Sequence, residues 1–222
     1  MKNVHIVTAN FGSIDSNSLI VPKQSVDNIN ITFASYNDSN ILNNRKNALH
    51  PRLKGKIPKM LEWMNVDADY YIWLDAPFEI VSEHFIQNTL NSLGDSDICM
   101  CKHNARNTIK DEFNFVDSLM KNGNEYLNSR YSGEAMKEQV DVYLNDSTFV
   151  DTNLFEMGFF VYSKKLIENR DYNLMTDWFF HNCYYSVQDQ LSIPYLLHKH
   201  KINYSTFEFD VFHNPDAKYI FK

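Results

Sequence analysis

An acidic residue at the end of an apolar and aromatic run is the first candidate for chemistry in this sequence. The run is Tyr-Tyr-Ile-Trp-Leu at residues 70–74, and Asp75 follows it. This composition is typical of a strand that is buried on both faces of a sheet, and Pro77 should end it. Ligands of open α/β sheets bind at the carboxyl ends of strands, and carboxylates bind hard cations. We therefore predict that Asp75 binds a metal ion, the alternative being an acidic strand cap that contacts only water.

A second metal ligand must come from elsewhere in the chain, because Pro77 stands where an Asp-x-Asp pair would have its second acid. Glu79 lies four residues after Asp75, but a solvated turn residue is the simpler interpretation of it. His213, before Asn214 and Pro215, is the best outside candidate, since imidazole suits Mn²⁺ better than Mg²⁺. A surface histidine on a C-terminal turn is the alternative.

Four basic residues precede the Asp75 strand within a segment of helical spacing at residues 51–63, namely Arg52, Lys54, Lys56 and Lys59. Arg52, Lys56 and Lys59 are separated by four and three residues, so they should share one helical face. Cations beside a metal-binding carboxylate suit a diphosphate, because both neutralise the charge that develops on a leaving phosphate. An ordinary solvated face is the alternative.

Two more acids could accept a proton from a substrate hydroxyl. Asp189 should open a helix, where it could instead only complement the helix dipole. Glu156 lies inside the apolar run Phe-Glu-Met-Gly-Phe-Phe, where an acid costs free energy unless it is paired or functional. Gly158 in the same run would let a ligand approach the backbone closely.

The elements that must position these residues alternate between strands and helices, which favours an α/β fold with a mostly parallel central sheet flanked by helices. Strands are predicted at residues 4–8, 28–36, 70–75, 97–102, 155–162 and 202–209. Helices are predicted at residues 51–63, 83–93, 108–121, 125–140, 174–185 and 187–200. Neither a repeat nor a linker is evident, so we expect one domain over residues 1–222, which could be the first part of a longer protein.

Composition excludes several classes of protein. The net charge is −7, from 21 basic and 28 acidic residues, which argues against a nucleic-acid partner. Three cysteines are no disulfide framework and favour a reducing, cytoplasmic location. The sequence has no apolar run long enough for a transmembrane segment or a signal peptide. It also lacks the glycine fingerprints of dinucleotide-binding and P-loop proteins.

Taken together, these segments resemble a compact GT-A glycosyltransferase, with the fold of nucleotide-diphospho-sugar transferases. More narrowly, the chain resembles a family of glycosyltransferase-like domains, once catalogued as of unknown function, from plants, bacteria and large viruses. The segments that carry this resemblance are residues 50–54 with Lys56 and Lys59, residues 71–75, residues 102–103, residues 156–158 and residues 189–192.

The resemblance implies a UDP-sugar donor, Mn²⁺ or Mg²⁺ as cofactor, and a glycan or glycoprotein acceptor. It places the metal on Asp75, and Asp189 on the acceptor side. Arg52, Lys56 and Lys59 would approach the diphosphate. The residues that would line the uridine pocket are Thr8, Ala9, Asn10 and Tyr36. Likeness to viral members that glycosylate capsid proteins implies rhamnose or glucose as the sugar, and the host cytoplasm as the location.

The sequence therefore predicts a metal-dependent glycosyltransferase of the hexosyltransferase type, with Asp189 or Glu156 as the base. Two alternatives remain open. A nucleotide-sugar hydrolase would use the same site with water as the attacking group. A non-catalytic glycan-binding module would retain the fold and its aromatic side chains but would have no use for the nucleotide.

Overall fold

The computed structural model describes residues 1–12, 20–40 and 49–220, and its centre is a six-stranded sheet. In chain order the strands of this sheet are β1 Lys2–Asn10, β2 Ile29–Asn37, β3 Tyr70–Leu74, β5 Ile98–Lys102, β6 Phe155–Ser163 and β7 Tyr204–Thr206. Their order across the sheet is β2-β1-β3-β6-β5-β7. A separate two-stranded sheet pairs β4 Phe78–Ile80 with β8 Ala217–Tyr219.

The predicted fold class, an α/β domain with a mostly parallel sheet, is confirmed. β1 runs parallel to β2 and β3, and β5 runs parallel to β7. Of the six described strands in the central sheet, β6 alone runs antiparallel to its neighbours β3 and β5. The carboxyl ends of β1, β3 and β5 therefore lie along one edge of the sheet, where a ligand site is expected.

Helices cover the sheet. They are α1 Pro51–Leu61, α2 Phe85–Leu93, α3 Ile109–Lys121, α4 Glu125–Tyr131, α5 Met136–Leu144, α6 Leu174–Tyr184 and α7 Asp189–His200. Short 3₁₀ turns lie at Glu62–Met64, Lys164–Ile167 and Val211–His213. Within the described ranges, none of these helices has the length and hydropathy to cross a membrane.

Polar side chains fix the starts of the helices that border the site. The Thr108 side chain accepts a hydrogen bond from the backbone N–H of Asp111 at the start of α3. Asn124 does the same for Leu127 at the start of α4. Each cap satisfies a backbone donor that the helix itself cannot pair, so both helices begin where these residue types occur.

Two predicted elements were wrong in extent. The helix predicted at residues 125–140 is two helices, because Gly133 between α4 and α5 has a φ of +83°, which ends regular helix. The strand predicted at residues 202–209 is reduced to β7 at Tyr204–Thr206. Phe207 and Phe209 stack on Phe159, with ring centroids 4.6 and 6.4 Å apart, so their apolar pattern reflects packing over the sheet.

The core has three apolar clusters. One contains Met60, Trp63 and Trp178 and packs α1, α6 and α7 on one face of the sheet. The second contains Leu74 and Phe85 and packs α2 on the other face. The third joins α3, α4 and α5 to α7, and so holds the α3–α5 segment beside the carboxyl edge of the sheet. Burial of these side chains is the main favourable term in folding.

Strand β6 contains a bulge at the edge where the site lies. Met100 of β5 pairs with Phe160, whereas the next residue, Cys101, pairs with Glu156. Residues 157–159 are therefore extra residues opposite β5, and the alternation of side chains changes phase across them. Met157 packs in the same cluster as Phe160, although a regular strand would place them on opposite faces.

Candidate active site

A cleft with two lobes opens at the carboxyl edge of the sheet. We call the larger one, about 480 Å³, the polar lobe, because His103, Arg106, Glu112, Glu156, Gln188 and Gln190 line it. The other, about 310 Å³, is the aromatic lobe, lined by Asn10, Phe11, Pro51, Arg52, Trp73 and Pro77. Both lobes share one wall, the shared wall, whose members include Lys56, Lys59, Asp75, Tyr126, Arg130 and Asp189. A ligand could therefore extend from one lobe to the other across a charged centre.

Asp75 lies where the sequence predicted it, directly after β3. Its backbone N–H donates to the carbonyl of Gly158 at 2.8 Å, and its Oδ1 accepts a hydrogen bond from Nε1 of Trp73 at 2.7 Å. The side chain is 44 % exposed. Its Oδ2 lies 3.3 Å from the position that a Cβ atom on Gly158 would occupy, so the glycine leaves space beside this oxygen.

Lys59 connects the two acids of the shared wall. Its buried ammonium donates to Oδ2 of Asp189 at 2.7 Å and to the carbonyl of Met157 at 2.7 Å, and it lies 3.7 Å from Oδ1 of Asp75. Burial alone would lower the pKa of Lys59, but the charges of Asp189 and Asp75 outweigh it and raise that pKa. Lys59 is thus a fixed positive charge.

Lys56 donates to the same oxygen of Asp189, at 2.5 Å. Burial and the neighbouring charge of Lys59 lower the pKa of Lys56 to about 8, against the opposing effect of Asp189. Burial would raise the pKa of Asp189, but the two ammonium groups outweigh it and lower that pKa. The Oδ1 of Asp189 is buried and has no hydrogen-bond partner among the described residues. An anionic carboxylate that holds two lysines is a weak base.

Two arginines complete the positive charge of the shared wall and the aromatic lobe. Burial lowers the pKa of Arg52, and the charge of Arg130 lowers it further, so these guanidinium groups repel each other. Arg130 stacks over the ring of Tyr126 and donates to its hydroxyl. Within the described ranges neither arginine forms an ion pair with a carboxylate. An anion bound between them would relieve the repulsion.

Glu156 lines the polar lobe next to the bulge. Its Oε2 accepts a hydrogen bond from the backbone N–H of Val211 at 2.9 Å. Burial raises the pKa of Glu156 and outweighs its backbone hydrogen bonds. Glu156 is therefore a stronger base than Asp189, whose pKa is lowered.

A buried network forms the far side of the polar lobe. The Nε of Arg106 donates to Oε2 of Glu112 at 2.5 Å, and the side-chain amide of Gln188 donates to Oε1 of Glu112 at 2.9 Å. The hydroxyl of Tyr131 donates to Oε1 of Gln188. Gln188 immediately precedes α7, so this network fixes the position of Asp189, the first residue of that helix.

The four residues predicted to line a uridine pocket are not all brought together. Ala9 and Asn10, at the end of β1, line the aromatic lobe with Arg52. Thr8 is buried, and its Oγ1 has no hydrogen-bond partner within the described part of the chain. The hydroxyl of Tyr36 donates to Oε1 of Glu62 at 2.7 Å, and Tyr36 lines neither lobe.

His213 lies on the 3₁₀ turn after β7, with a side chain that is 78 % exposed. Its Nδ1 is 2.8 Å from Oδ2 of Asp210, and it lines neither lobe. Glu79 is exposed on β4, opposite Lys218. Residues 1–12, 20–40 and 49–220 contain no group of three or more His, Cys, Asp or Glu side chains that could hold a metal ion. The metal roles of Asp75 and His213 stay predictions.

The sequence did not single out Arg106, Glu112 or Arg130. Arg130 is a basic residue in the last turn of a short helix, where the helix dipole favours a cation in any protein. Glu112 is an acid in the first turn of α3, which is equally ordinary. Their place in the cleft depends on tertiary packing alone.

The solved structures that match this chain include two distant ones. Mouse xyloside xylosyltransferase 1, in its apo form, is 9 % identical with a TM-score of 0.48, and the match covers 92 % of this chain and 85 % of that one. The A197 protein from STIV is 10 % identical with a TM-score of 0.35, and the match covers 93 % and 82 %. No curated protein matches the chain.

A sequence model of one family matches residues 41–222, which include the shared wall and the whole polar lobe. Its description is the TOD1/MUCI70 glycosyltransferase-like domain. This match confirms the predicted likeness to a family of glycosyltransferase-like domains, whereas the viral capsid acceptor stays a prediction. The chain belongs to the TOD1/MUCI70 family of glycosyltransferase-like domains.

Proposed function

We propose that this domain transfers a sugar from a UDP-sugar donor to a hydroxyl group of a glycan or glycoprotein. The observation that carries the proposal is the group of four cations, Arg52, Lys56, Lys59 and Arg130, on and beside the shared wall. Two of these cations have no carboxylate partner within the described ranges, so the group retains positive charge for a ligand. A diphosphate supplies the complementary negative charge at the centre of the cleft.

The chemistry of the two lobes suggests how the donor lies. Rings of Phe11 and Trp73, with Pro51 and Pro77, make the smaller lobe suited to a planar base. Hydrogen-bonding side chains such as Gln190 and Glu156 make the larger lobe suited to sugar hydroxyl groups. The donor would then cross the shared wall with uracil in the aromatic lobe, diphosphate at the cations and sugar in the polar lobe.

Chemical transfer requires one bond to break and one to form. The bond between the anomeric carbon and the β-phosphate oxygen breaks, and its electron pair leaves with UDP. An oxygen of the acceptor forms the new bond to that carbon and loses its proton. Lys59 and the neighbouring cations stabilise the charge on the leaving diphosphate. We assign the acceptor proton to Glu156 in preference to Asp189, because burial raises the pKa of Glu156. Asp189 instead holds Lys56 and Lys59 in place.

A divalent ion fits this site only as a partner of the donor. Asp75 would bind Mn²⁺ or Mg²⁺ through Oδ2, beside the space that Gly158 leaves open, and the diphosphate would have to supply further oxygen ligands. His213 would have to exchange its contact with Asp210 before it could join. When bound, such an ion neutralises charge on the leaving phosphate.

Incubation with UDP-sugars, Mn²⁺ and acceptor glycans tests the proposal by release of UDP. We expect release that depends on the acceptor, and a loss of at least about a hundredfold in kcat for Asp75→Asn, a magnitude typical of removing one preorganised charge. The matched control is Asp69→Asn, at the opposite end of the same strand and outside both lobes.

The alternatives give different products. Free sugar without acceptor dependence would identify a nucleotide-sugar hydrolase. Glycan binding without any affinity for UDP would identify a non-catalytic module. Absence of both UDP binding and UDP release would overturn the proposal.

We place the enzyme in the cytoplasm, which accords with three cysteines that are free thiols.

A further inference from the structure

Outside the shared wall, few of the side chains that line the polar lobe carry a charge that could pair with a ligand. Among the described residues that line this lobe beyond the shared wall, Arg106 is the one side chain with a permanent positive charge. His103 also lines it, but burial and the charge of Arg106 lower the pKa of His103, against Glu112. The charge of Arg106 therefore decides whether the lobe can accept an anion.

Arg106 is already engaged within the protein. Its Nε donates to Glu112 at 2.5 Å, and its terminal nitrogen lies 3.1 Å from Nε2 of His103. Its guanidinium lies 4.0 Å from the centroid of the Phe115 ring. Glu112 is itself buried and accepts a second hydrogen bond from Gln188, so the ion pair is fixed from both sides. Arg106 thus has its charge compensated before any ligand arrives.

The polar lobe also contains an acid that has no ion pair. Glu156 lines it, and within the described ranges no cation lies within ion-pair distance of its carboxylate. A carboxylate on a bound sugar would meet Glu156 and the compensated Arg106. It would lose its water without gaining a partner charge, which is unfavourable in a cleft. A sugar hydroxyl has no such penalty, because it can both donate and accept hydrogen bonds.

We propose that the polar lobe selects an uncharged sugar, so that donors carrying a neutral hexose or deoxyhexose bind and donors carrying a uronic acid are rejected. This inference rests on the proposed function, since it places the donor sugar in the polar lobe. The cations of the shared wall do not alter this selectivity, because they bind the diphosphate whichever sugar the donor carries.

Calorimetry with the whole chain tests this selectivity without any turnover. UDP, UDP-glucose, UDP-rhamnose and UDP-glucuronate are titrated in the presence of Mn²⁺. We expect UDP-glucuronate to bind at least about tenfold more weakly than UDP-glucose, as expected for an unpaired charged group in a partly buried site. Equal or tighter binding of UDP-glucuronate would overturn the inference while leaving the proposed function intact. Failure of UDP itself to bind would overturn both.

A variant tests the cause. Glu112→Gln retains the shape of the side chain but leaves Arg106 without its acid, so the relative affinity for UDP-glucuronate should rise by about tenfold. Asp111→Asn is the matched control, since it removes the same charge from an exposed neighbour on α3 and should leave the ratio unchanged. An unchanged ratio in folded Glu112→Gln would contradict the role of the ion pair. If that variant does not fold, the comparison of UDP-glucose with UDP-glucuronate on the natural protein still tests the selectivity.

Discussion

Gly158 lies directly against the carboxylate of Asp75. A Cβ atom at residue 158 would be 3.3 Å from Oδ2 of Asp75 and equally close to Cγ2 of Val211. Both contacts are tighter than ordinary, so Gly158→Ala should displace the carboxylate from its position at the end of β3. We expect UDP release to slow by about tenfold, in line with the large effect of small displacements at reacting groups. The measurement is the initial rate at saturating donor.

A double-mutant cycle with Asp75→Asn provides the control for that prediction. If the alanine acts through the carboxylate, adding Gly158→Ala to Asp75→Asn should cause little further loss. Losses that multiply in the double variant would mean that residue 158 acts independently, for example by blocking the sugar itself.

Arg130 should contribute to donor binding although nothing in the sequence marked it. Arg130→Met removes one guanidinium from the shared wall and leaves Arg52 as the remaining arginine. Since a hydrogen bond to a charged group contributes about 1.5–3 kcal/mol, UDP affinity should fall by about tenfold or more. Calorimetry measures it. Lys121→Met is the control, since it removes one positive charge at the exposed end of α3. Equal losses of UDP affinity in the two variants would show that Arg130 acts only through the net charge of the protein.

Lys56 should make donor binding depend on pH. Its pKa is about 8, and only the protonated ammonium pairs with a phosphate. UDP affinity should therefore fall as pH rises above about 8, and binding near that pH should take up a proton, which calorimetry in buffers of different ionisation enthalpy detects. Lys56→Arg cannot lose its proton in this range and should flatten the profile. A profile that stays steep in this variant would assign the titration to another group.

Acid should destabilise the packing of α6 against α7 through Asp177. Burial would raise the pKa of Asp177, but hydrogen bonds from His200, Lys199 and Tyr172 outweigh it and lower that pKa well below its usual range. A lowered pKa in the folded state means stability that is present above the unfolded pKa and lost as pH falls. The free energy of unfolding should therefore decrease below about pH 5.

Urea denaturation at several pH values measures this effect. Asp177→Asn should lower stability by about 1–2 kcal/mol at neutral pH, because it weakens the buried acceptor of hydrogen bonds from Tyr172, Lys199 and His200, and should weaken the acid dependence. Asp141→Asn, whose ion pair with Lys137 is exposed, is the control and should change stability little. An Asp177 variant as stable as the natural protein would show that the cluster is not important for folding.

Metal binding should be weak before the donor arrives, because Asp75 brings a single carboxylate and the described residues contain no three-ligand group. A Mn²⁺ titration should give tighter binding with UDP than without it. Asp75→Asn should abolish that enhancement, and His213→Ala should weaken it. An unchanged Mn²⁺ titration in His213→Ala would show that His213 is a surface residue and not a metal ligand. An unchanged titration in Asp75→Asn would show that the metal does not bind at Asp75.

The sequence predicted the positions of site residues most accurately where those positions follow from a local pattern of residues. Asp75 follows a strand of apolar and aromatic residues, and that strand is buried between its neighbours β1 and β6, in accord with the predicted burial on both faces. The spacing of Arg52, Lys56 and Lys59 placed them on one face of α1, and all three line the aromatic lobe. These features depend on neighbours within a few residues, which a periodic pattern can reveal.

The contacts that complete the site depend on distant residues and were not predictable in this way. Lys56 and Lys59 donate to Asp189 across sequence separations of 133 and 130 residues. The family resemblance implied that Asp189 lies on the acceptor side, where it could act as a base, and nothing local indicated that two lysines would lower its pKa. Arg130 and Glu112 enter the cleft because α3 and α4 pack against α7, which is a property of the third cluster rather than of either helix.

The bulge in β6 has a consequence for which changes in chain length this domain can tolerate. Met157 and Phe160 share a face because the extra residues between them shift the alternation by one position. Deleting one of those residues would leave Met157 and Phe160 two positions apart, which is the spacing of one face in a regular strand. Glu156 would then keep its face towards the cleft and Met157 its place in the apolar cluster around Trp178, whereas the same deletion in a regular strand would exchange the two faces. A change of one residue in length should therefore be better accepted at the bulge than elsewhere in β6.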